Sequence, residues 1–273
     1  MRLYLLSILL APVVAHAQRT DDSLRHALLA AEDARARTPA QLDLLVATSR
    51  SSDAAHAAIA VRALGRRERA DLLPQIAPSL RHADPSVRAA GAVAMAQAAG
   101  ADRAAEAWQV LRTEAAQETD GAVQRAILES IGRLRLAPDT PDHGAAQRLL
   151  LDAAMRDGGT RTGALQGLGH LLRRRPASTP PDPELFAALR RLAAAPMPAS
   201  DRRLALAAIA AARAGDEATL ATALGDDDTE VRRLAAAALR TTLLAARARL
   251  IDLALEDAAV QVRIEALRDF GQH

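Results

Sequence analysis

Cysteine, lysine and asparagine are absent from the chain, and aromatic residues are nearly absent. Only one Trp, one Tyr and two Phe occur among 273 residues. Without cysteine the protein forms no disulfide, so its stability has to come from packing. A core of alanine and leucine lets helices approach closely but buries little apolar area per residue. We therefore expect each structural unit to depend on its neighbours.

A large excess of charge of one sign is also missing. The chain has 35 basic residues, all of them arginine, and 33 acidic residues, for a formal net charge of +2. Almost nothing titrates between histidine and arginine, so this small excess is enough to raise the pI to about 10.1. The near balance of charge excludes the strongly basic surface that is typical of nucleic-acid-binding proteins.

Signatures of common enzyme sites are missing as well. The chain contains no Gly-x-Ser-x-Gly elbow and no phosphate-binding loop, and its histidines are scattered. The triple Asp226-Asp227-Asp228 lacks the spaced ligands of a calcium loop. Alternating runs of β-branched residues, which indicate strands, do not occur. We predict an all-α protein with no catalytic site, cofactor or metal in this chain.

Residues 1–17 have the pattern of a secretory signal peptide. Arg2 supplies a positive start, residues 3–14 form an apolar run, and Ala-His-Ala at 15–17 is a small-x-small cleavage site. The run has about 12 residues, whereas about 20 are needed to cross a bilayer. We predict export to the periplasm or the medium, with a mature chain that begins near Gln18.

The stretch His82–Ala96 contains a turn, a helix cap and a short helix. Asp84 is placed to cap the helix, and Pro85 stands at the first helical position, where its missing N–H is harmless. Copies of this stretch recur, with equivalent positions at residues 56, 87, 123, 160, 204, 231 and 262, which lie 27 to 44 residues apart. A period of this size with two short helices per unit indicates a helical solenoid.

Two of these copies carry a family resemblance. Asp84-Pro85-x-Val87-Arg88 and Asp228-x-x-Val231-Arg232 resemble the second helix of a HEAT repeat of the bacterial phycobilisome-lyase-like type. The resemblance implies a right-handed α-solenoid of about seven two-helix repeats over residues 38–273, after a capping helix within residues 18–37. It says little about function, because HEAT repeats serve many roles.

The resemblance also implies a ladder of ion pairs between neighbouring repeats. In such proteins the turn Asp and the helix Arg form this ladder, and the matching residues here are Asp84 and Arg88, Asp157 and Arg161, and Asp228 and Arg232. The copies that begin at Asp53, Asp120 and Asp201 lack an arginine at the expected position. We therefore expect the ladder to be broken at those three repeats.

Two local features interrupt the regular pattern. Pro74 and Pro78 fall inside a first helix, which they are expected to bend and end early. Arg173, Arg174 and Arg175 precede the longest irregular stretch, which ends at Pro183. The three arginines either bind an acidic partner or a phosphate, or complement the dipole of a helix end.

Two functional hypotheses follow. The first is a non-catalytic scaffold that binds a protein partner outside the cytoplasm, since solenoids present extended surfaces. The second is the front region of a larger exported protein, such as a cyclophilin-type peptidyl-prolyl isomerase, whose catalytic domain is absent from this chain. Val260, Val262, Ile264 and Leu267 put apolar groups on more than one side of the last helix, so we expect a dimer partner or further chain to cover them.

Overall fold

The structure is a computed structural model that describes residues 22–156, 158–176, 179, 182–239 and 247–268. Every regular element in these ranges is helical, which confirms the all-α prediction. No helix in the described ranges is both long enough and apolar enough to cross a membrane. The predicted signal peptide lies outside them.

Contacts divide the chain into two units, Met1–Val110 and Leu111–His273. In the first unit, a helix over residues 22–33 (α1) precedes the pair α2 (Pro39–Thr48) and α3 (Ala54–Gly65). The unit also contains α4 (Leu73–Ile76), α5 (Pro85–Ala99) and the first part of α6 (Ala104–Gln117). The second helices of two successive pairs, α3 and α5, pack on each other, and α4 packs on α5.

The second unit also consists of paired helices. Its helices are α7 (Gly121–Arg133), α8 (Pro141–Met155), α9 (Thr160–Arg173), α10 (Pro183–Leu192), α11 (Ala199–Ala211), α12 (Glu217–Leu224), α13 (Thr229–Leu239), α14 (Arg247–Leu255) and α15 (Val260–Leu267). From α8 onward they form antiparallel pairs, and each second helix packs on the second helix of the next pair: α7 on α9, α9 on α11, α11 on α13, and α13 on α15. Stacked two-helix repeats of this kind are the α-solenoid arrangement that the sequence predicts.

Side-chain caps explain where many helices begin. The Asp84 carboxylate accepts from the Ser86 backbone N–H at 2.8 Å, and Pro85 is the first helical residue, as predicted. Thr38 and Gln41 form the reciprocal capping box at the start of α2. Further caps of the same kind start α3, α7, α10 and α12, at Asp53, Asp120, Asp182 and Asp216.

The predicted effect of the two prolines is confirmed. The segment that precedes α5 is not one continuous helix: 3₁₀ turns at Ala70–Leu72 and Ala77–Arg81 flank the single turn of α4. Pro74 lies in α4 and Pro78 in the second 3₁₀ turn. Each proline lacks the N–H that a longer α-helix would need at its position.

The core consists mainly of alanine and leucine, and glycines in it let backbones touch. Trp108 is fully buried, so it is a core residue. The helices α7 and α9 approach closely where a Cβ built on Gly132 would stand 2.1 Å from the Gly167 carbonyl oxygen. A Cβ on Gly163 would stand 2.4 Å from the Arg125 carbonyl oxygen. Only glycine fits at these positions without a shift of the backbone.

Candidate interaction site

The turns before five of the second helices, α3, α5, α7, α13 and α15, share a local geometry. The residue two positions before the cap accepts, through its side chain, from the backbone N–H of the cap residue. Glu118 does so for Asp120 at 2.9 Å, Asp226 for Asp228 at 2.8 Å, and the Asp257 carboxylate for Ala259 at 2.8 Å. Ser51 and His82 fill the same position before Asp53 and Asp84.

The fourth residue of the second helix closes the turn from the other side. The Arg232 guanidinium donates to the carbonyl oxygens of Asp226 and Asp227 at 2.9 and 3.2 Å. Arg88 makes the equivalent bonds to His82 and Ala83. A long cationic side chain therefore satisfies carbonyl groups of a turn that no helix ladder reaches.

Arginines near the start of three second helices of the second unit reach carboxylates of the following repeat. Arg161 Nη1 lies 3.1 Å from Asp201 Oδ2, and both side chains are largely buried. Arg202 binds Asp226 through two bonds of 2.8 and 2.6 Å. Arg232 binds Asp257 through bonds of 2.7 and 3.3 Å. An Arg–Asp ladder thus connects four successive second helices of the second unit, α9, α11, α13 and α15.

The predicted ladder residues do not all have the roles that the sequence suggested. Arg232 binds the turn carboxylate Asp257, whereas Asp228 caps its own helix and binds Arg203 of the preceding repeat at 2.8 Å. The copy at Asp201 does contain its arginine: Arg202 is the fourth helical residue because the cap is Pro198. Asp157 lies outside the described residues.

The copy at Asp120 also retains the turn contact that its missing arginine would have made. The amide of Gln124 donates to the Glu118 carbonyl oxygen, which closes the turn without a charge. The sequence reasoning missed the acceptor position two residues before the cap. Aligning the turns on their caps would have revealed it, because that position holds Ser51, His82, Glu118, Asp226 and Asp257.

Arginines hold two carboxylates of the repeat junctions ionised. Hydrogen bonding from the Arg203 guanidinium lowers the pKa of Asp228 to about 2, and the N–H of Val231 adds to the effect. Burial opposes ionisation of Asp257, but Arg232 and the N–H of Ala259 together outweigh it and lower the pKa of that carboxyl. Asp228 and Asp257 are therefore ionised across the physiological pH range.

Two of the three arginines at 173–175 fold back onto the protein. Arg174 donates to the carbonyl oxygens of Gly132 and Leu134, at 2.7 and 2.5 Å, where α7 ends. Arg175 donates to the carbonyl oxygen of Ala212, where α11 ends. Both guanidinium groups thus satisfy helix C-termini of other elements. Arg173 is exposed at the end of α9.

A groove of about 240 Å³ lies in the second unit between α6, α7, α8 and α9. Its apolar lining consists of Ala115, Ala116, Leu128, Leu149 and Ala153. Its polar lining consists of Arg112, Gln124, Arg156 and Thr160. The groove is apolar at its floor and carries two arginines, a combination suited to an apolar side chain with an acidic neighbour.

The structure combines paired helices, turns capped by aspartate and an Arg–Asp ladder between repeats. The fold is that of a HEAT-like repeat protein. No model of a known protein family matches the chain, and no curated protein matches it.

Three solved structures resemble the chain at low sequence identity. An archaeal HEAT-like repeats protein from Thermococcus onnurineus NA1 is 14% identical, with 90% of each chain covered and a TM-score of 0.49. The complex of CpcE and CpcF of phycocyanin lyase from Nostoc sp. PCC7120 is 17% identical, with 91% of this chain and 88% of that chain covered and a TM-score of 0.45. Human deoxyhypusine hydroxylase is 16% identical, with 95% and 98% covered and a TM-score of 0.36.

Proposed function

We propose that the protein is a non-catalytic HEAT-like repeat scaffold that binds a protein partner outside the cytoplasm. The observation that carries the proposal is the groove between α6, α7, α8 and α9. It is smaller than the pockets that enclose most small-molecule ligands, which span about 300–1,000 Å³. Its size suits one or two side chains of a protein segment.

The lining of the groove specifies the partner segment. Leu128 and Ala153 form an apolar floor, so an apolar side chain of the partner is buried there. Arg112 and Arg156 are exposed and cationic, so the neighbouring residues of the partner are acidic. In this proposal the scaffold needs no cofactor or metal; among the described residues no group of three His, Cys, Asp or Glu could hold a metal ion.

Photo-crosslinking in the native host tests the proposal. A photoreactive amino acid at Ala116, which is exposed in the groove, should give one discrete crosslinked product with a partner protein. Changing both Arg112 and Arg156 to Glu should abolish that product. The matched control is the same photoreactive residue at the exposed Ala137, which should give none. Crosslinks that persist unchanged in the charge-reversed variant would show that the groove does not bind the partner.

The intact mass of the protein from its native host tests export and separates the two functional hypotheses. Removal of residues 1–17 should give the mass of the chain from Gln18 to His273. A mass that includes Met1 would contradict export. A clearly larger mass would favour the second hypothesis, in which the repeats recruit clients for a catalytic domain such as a cyclophilin-type isomerase.

A further inference from the structure

The last described helix carries an apolar stripe that is open to solvent. Val260, Ile264 and Leu267 of α15 are 53%, 47% and 54% exposed. Their spacing of four and three residues puts them on one face of the helix. Val262, by contrast, is fully buried within the second unit. The apolar residues of α15 thus divide into one covered face and one open face.

The open face corresponds to the face through which earlier second helices receive the next repeat. Leu267 stands eight residues after its cap, and every equivalent residue in the second unit is buried: Leu128, Gly167, Leu206 and Ala236. Ile264 stands five residues after the cap. The equivalent Arg203 and Arg233 each bond to the following repeat, Arg203 to Asp228 and Arg233 to Glu265. The stripe therefore continues the repeat–repeat interface of the chain.

Arg263 adds a charged group to the same open face of α15. It is the fourth residue of α15 and donates to the carbonyl oxygens of Asp257 and Ala258, at 2.7 and 2.9 Å. The equivalent Arg202 and Arg232 close their own turns in the same way, and each also binds a carboxylate of the next repeat. Within the described ranges, no carboxylate takes that position beside Arg263.

We propose that α15 is the docking surface for a helical repeat of another protein, one that carries an acidic residue in the turn before its second helix. The partner's helix covers Leu267 and Ile264, and its turn carboxylate completes the ladder at Arg263. A second copy of this chain is a poorer occupant, because the same face of that copy offers Arg263 and Arg268 in place of a carboxylate. This surface is separate from the groove, so the proposal does not rest on the proposed function.

A peptide probe copied from this chain tests the surface. Residues 216–239 contain the pair α12 and α13. Within the chain α13 packs on α11, where Leu206 holds the position of Leu267 and Asp226 binds Arg202. The fluorescently labelled peptide should bind the mature full-length protein in an anisotropy titration. Changing Leu267 to Glu should weaken binding at least about tenfold. Changing the exposed Met155 of α8 to Glu is the matched control and should leave binding unchanged.

The charge contact has its own test in the same titration. Asp226→Asn in the peptide should weaken binding to the wild-type protein several-fold, by about 3- to 30-fold. The same change should make no difference to binding by the Arg263→Gln protein, because the carboxylate then has no cation to meet. A peptide that is helical by circular dichroism and fails to bind, or that binds Leu267→Glu as tightly as the wild type, would overturn the proposal. Dimerisation of the mature protein that Leu267→Glu abolishes would instead identify a second copy as the occupant.

Discussion

Arg232 and Asp257 join two successive repeats through a bidentate contact, with the Arg232 Nε 2.7 Å from Asp257 Oδ2. Both side chains are mostly buried, and Asp257 also accepts from the Ala259 N–H. One carboxylate thus orders its own turn and holds the arginine of the repeat before it. Stacking and turn formation depend on the same group, so a change there affects both.

Replacing Asp257 with Asn should lower the free energy of unfolding by about 1.5–3 kcal/mol, the contribution typical of a hydrogen bond to a charged group. Asparagine can still accept from the Ala259 N–H, so the loss reports mainly on Arg232. Asp227→Asn is the control, because Asp227 is 91% exposed and its ion pair with Arg202 should contribute less than about 1 kcal/mol. Urea unfolding measures both variants, and equal losses would refute the special role of Asp257.

Acid should weaken the contact between Asp228 and Arg203 in a defined pH range. The pKa of Asp228 is about 2 in the folded protein, below its usual 3.8, so the unfolded chain takes up the proton first as the pH falls. Stability from this group is complete above about pH 4 and is lost as the pH falls towards about 2. The urea midpoint should therefore drop over that interval.

The variant Arg203→Gln tests the cause of that pH dependence. Arg203 makes the largest contribution to the low pKa of Asp228, so its removal should raise that pKa towards the usual value. The urea midpoint of the variant should then change less between about pH 4 and pH 2 than the midpoint of the wild type. If the urea midpoints of the two proteins fall in parallel as the pH is lowered, Arg203 is not the cause of the pH dependence.

Glycine-to-alanine changes should have opposite signs at two helical positions. Gly132→Ala drives a methyl group into the Gly167 backbone and should destabilise the protein by about 1–3 kcal/mol. Gly144→Ala, inside α8, meets only the end of the Arg148 side chain at 3.6 Å. It should stabilise the protein by up to about 1 kcal/mol, because alanine is the better helix former. Thermal unfolding of the two variants measures the contrast directly.

The three arginines at 173–175 should differ in their effect on stability. Arg174→Ala removes two bonds to the end of α7 and should lower the free energy of unfolding by about 1–2 kcal/mol. Arg173→Ala, at the exposed end of α9, should change it by less than about 0.5 kcal/mol. Similar small effects for both would mean that Arg174 does not support the fold.

The features that the sequence predicted correctly are local ones. The cap at Asp84 and the break at Pro74 depend on residues within one turn of the helix, so the sequence pattern suffices. The partners of the ladder arginines are not local. Three aspartates stand together at 226–228, and only the stacking of repeats decides that Asp226 meets Arg202 while Asp228 meets Arg203.

The sequence also misplaces the start of one helix, at the copy that contains Asp201. Asp201 aligns in the sequence with the aspartates that begin six other copies, but Pro198 occupies the cap position and Asp201 receives Arg161 instead. The contact of Arg174 with Gly132 spans 42 residues of sequence, and no local pattern identifies it. The α15 stripe could be seen in the sequence, but its equivalence to covered positions in earlier repeats required the structure.

The contact between Gly132 and Gly167 has a mechanical consequence. With no side chain between them, α7 and α9 meet through rigid main chain, whereas α11 and α13 meet through side chains such as Leu206 that can change rotamer. Under a pulling force along the second unit, the later repeats should therefore yield before the α7–α9 junction. In a single-molecule stretching experiment the protein should extend in steps, with the α7–α9 junction releasing at the highest force.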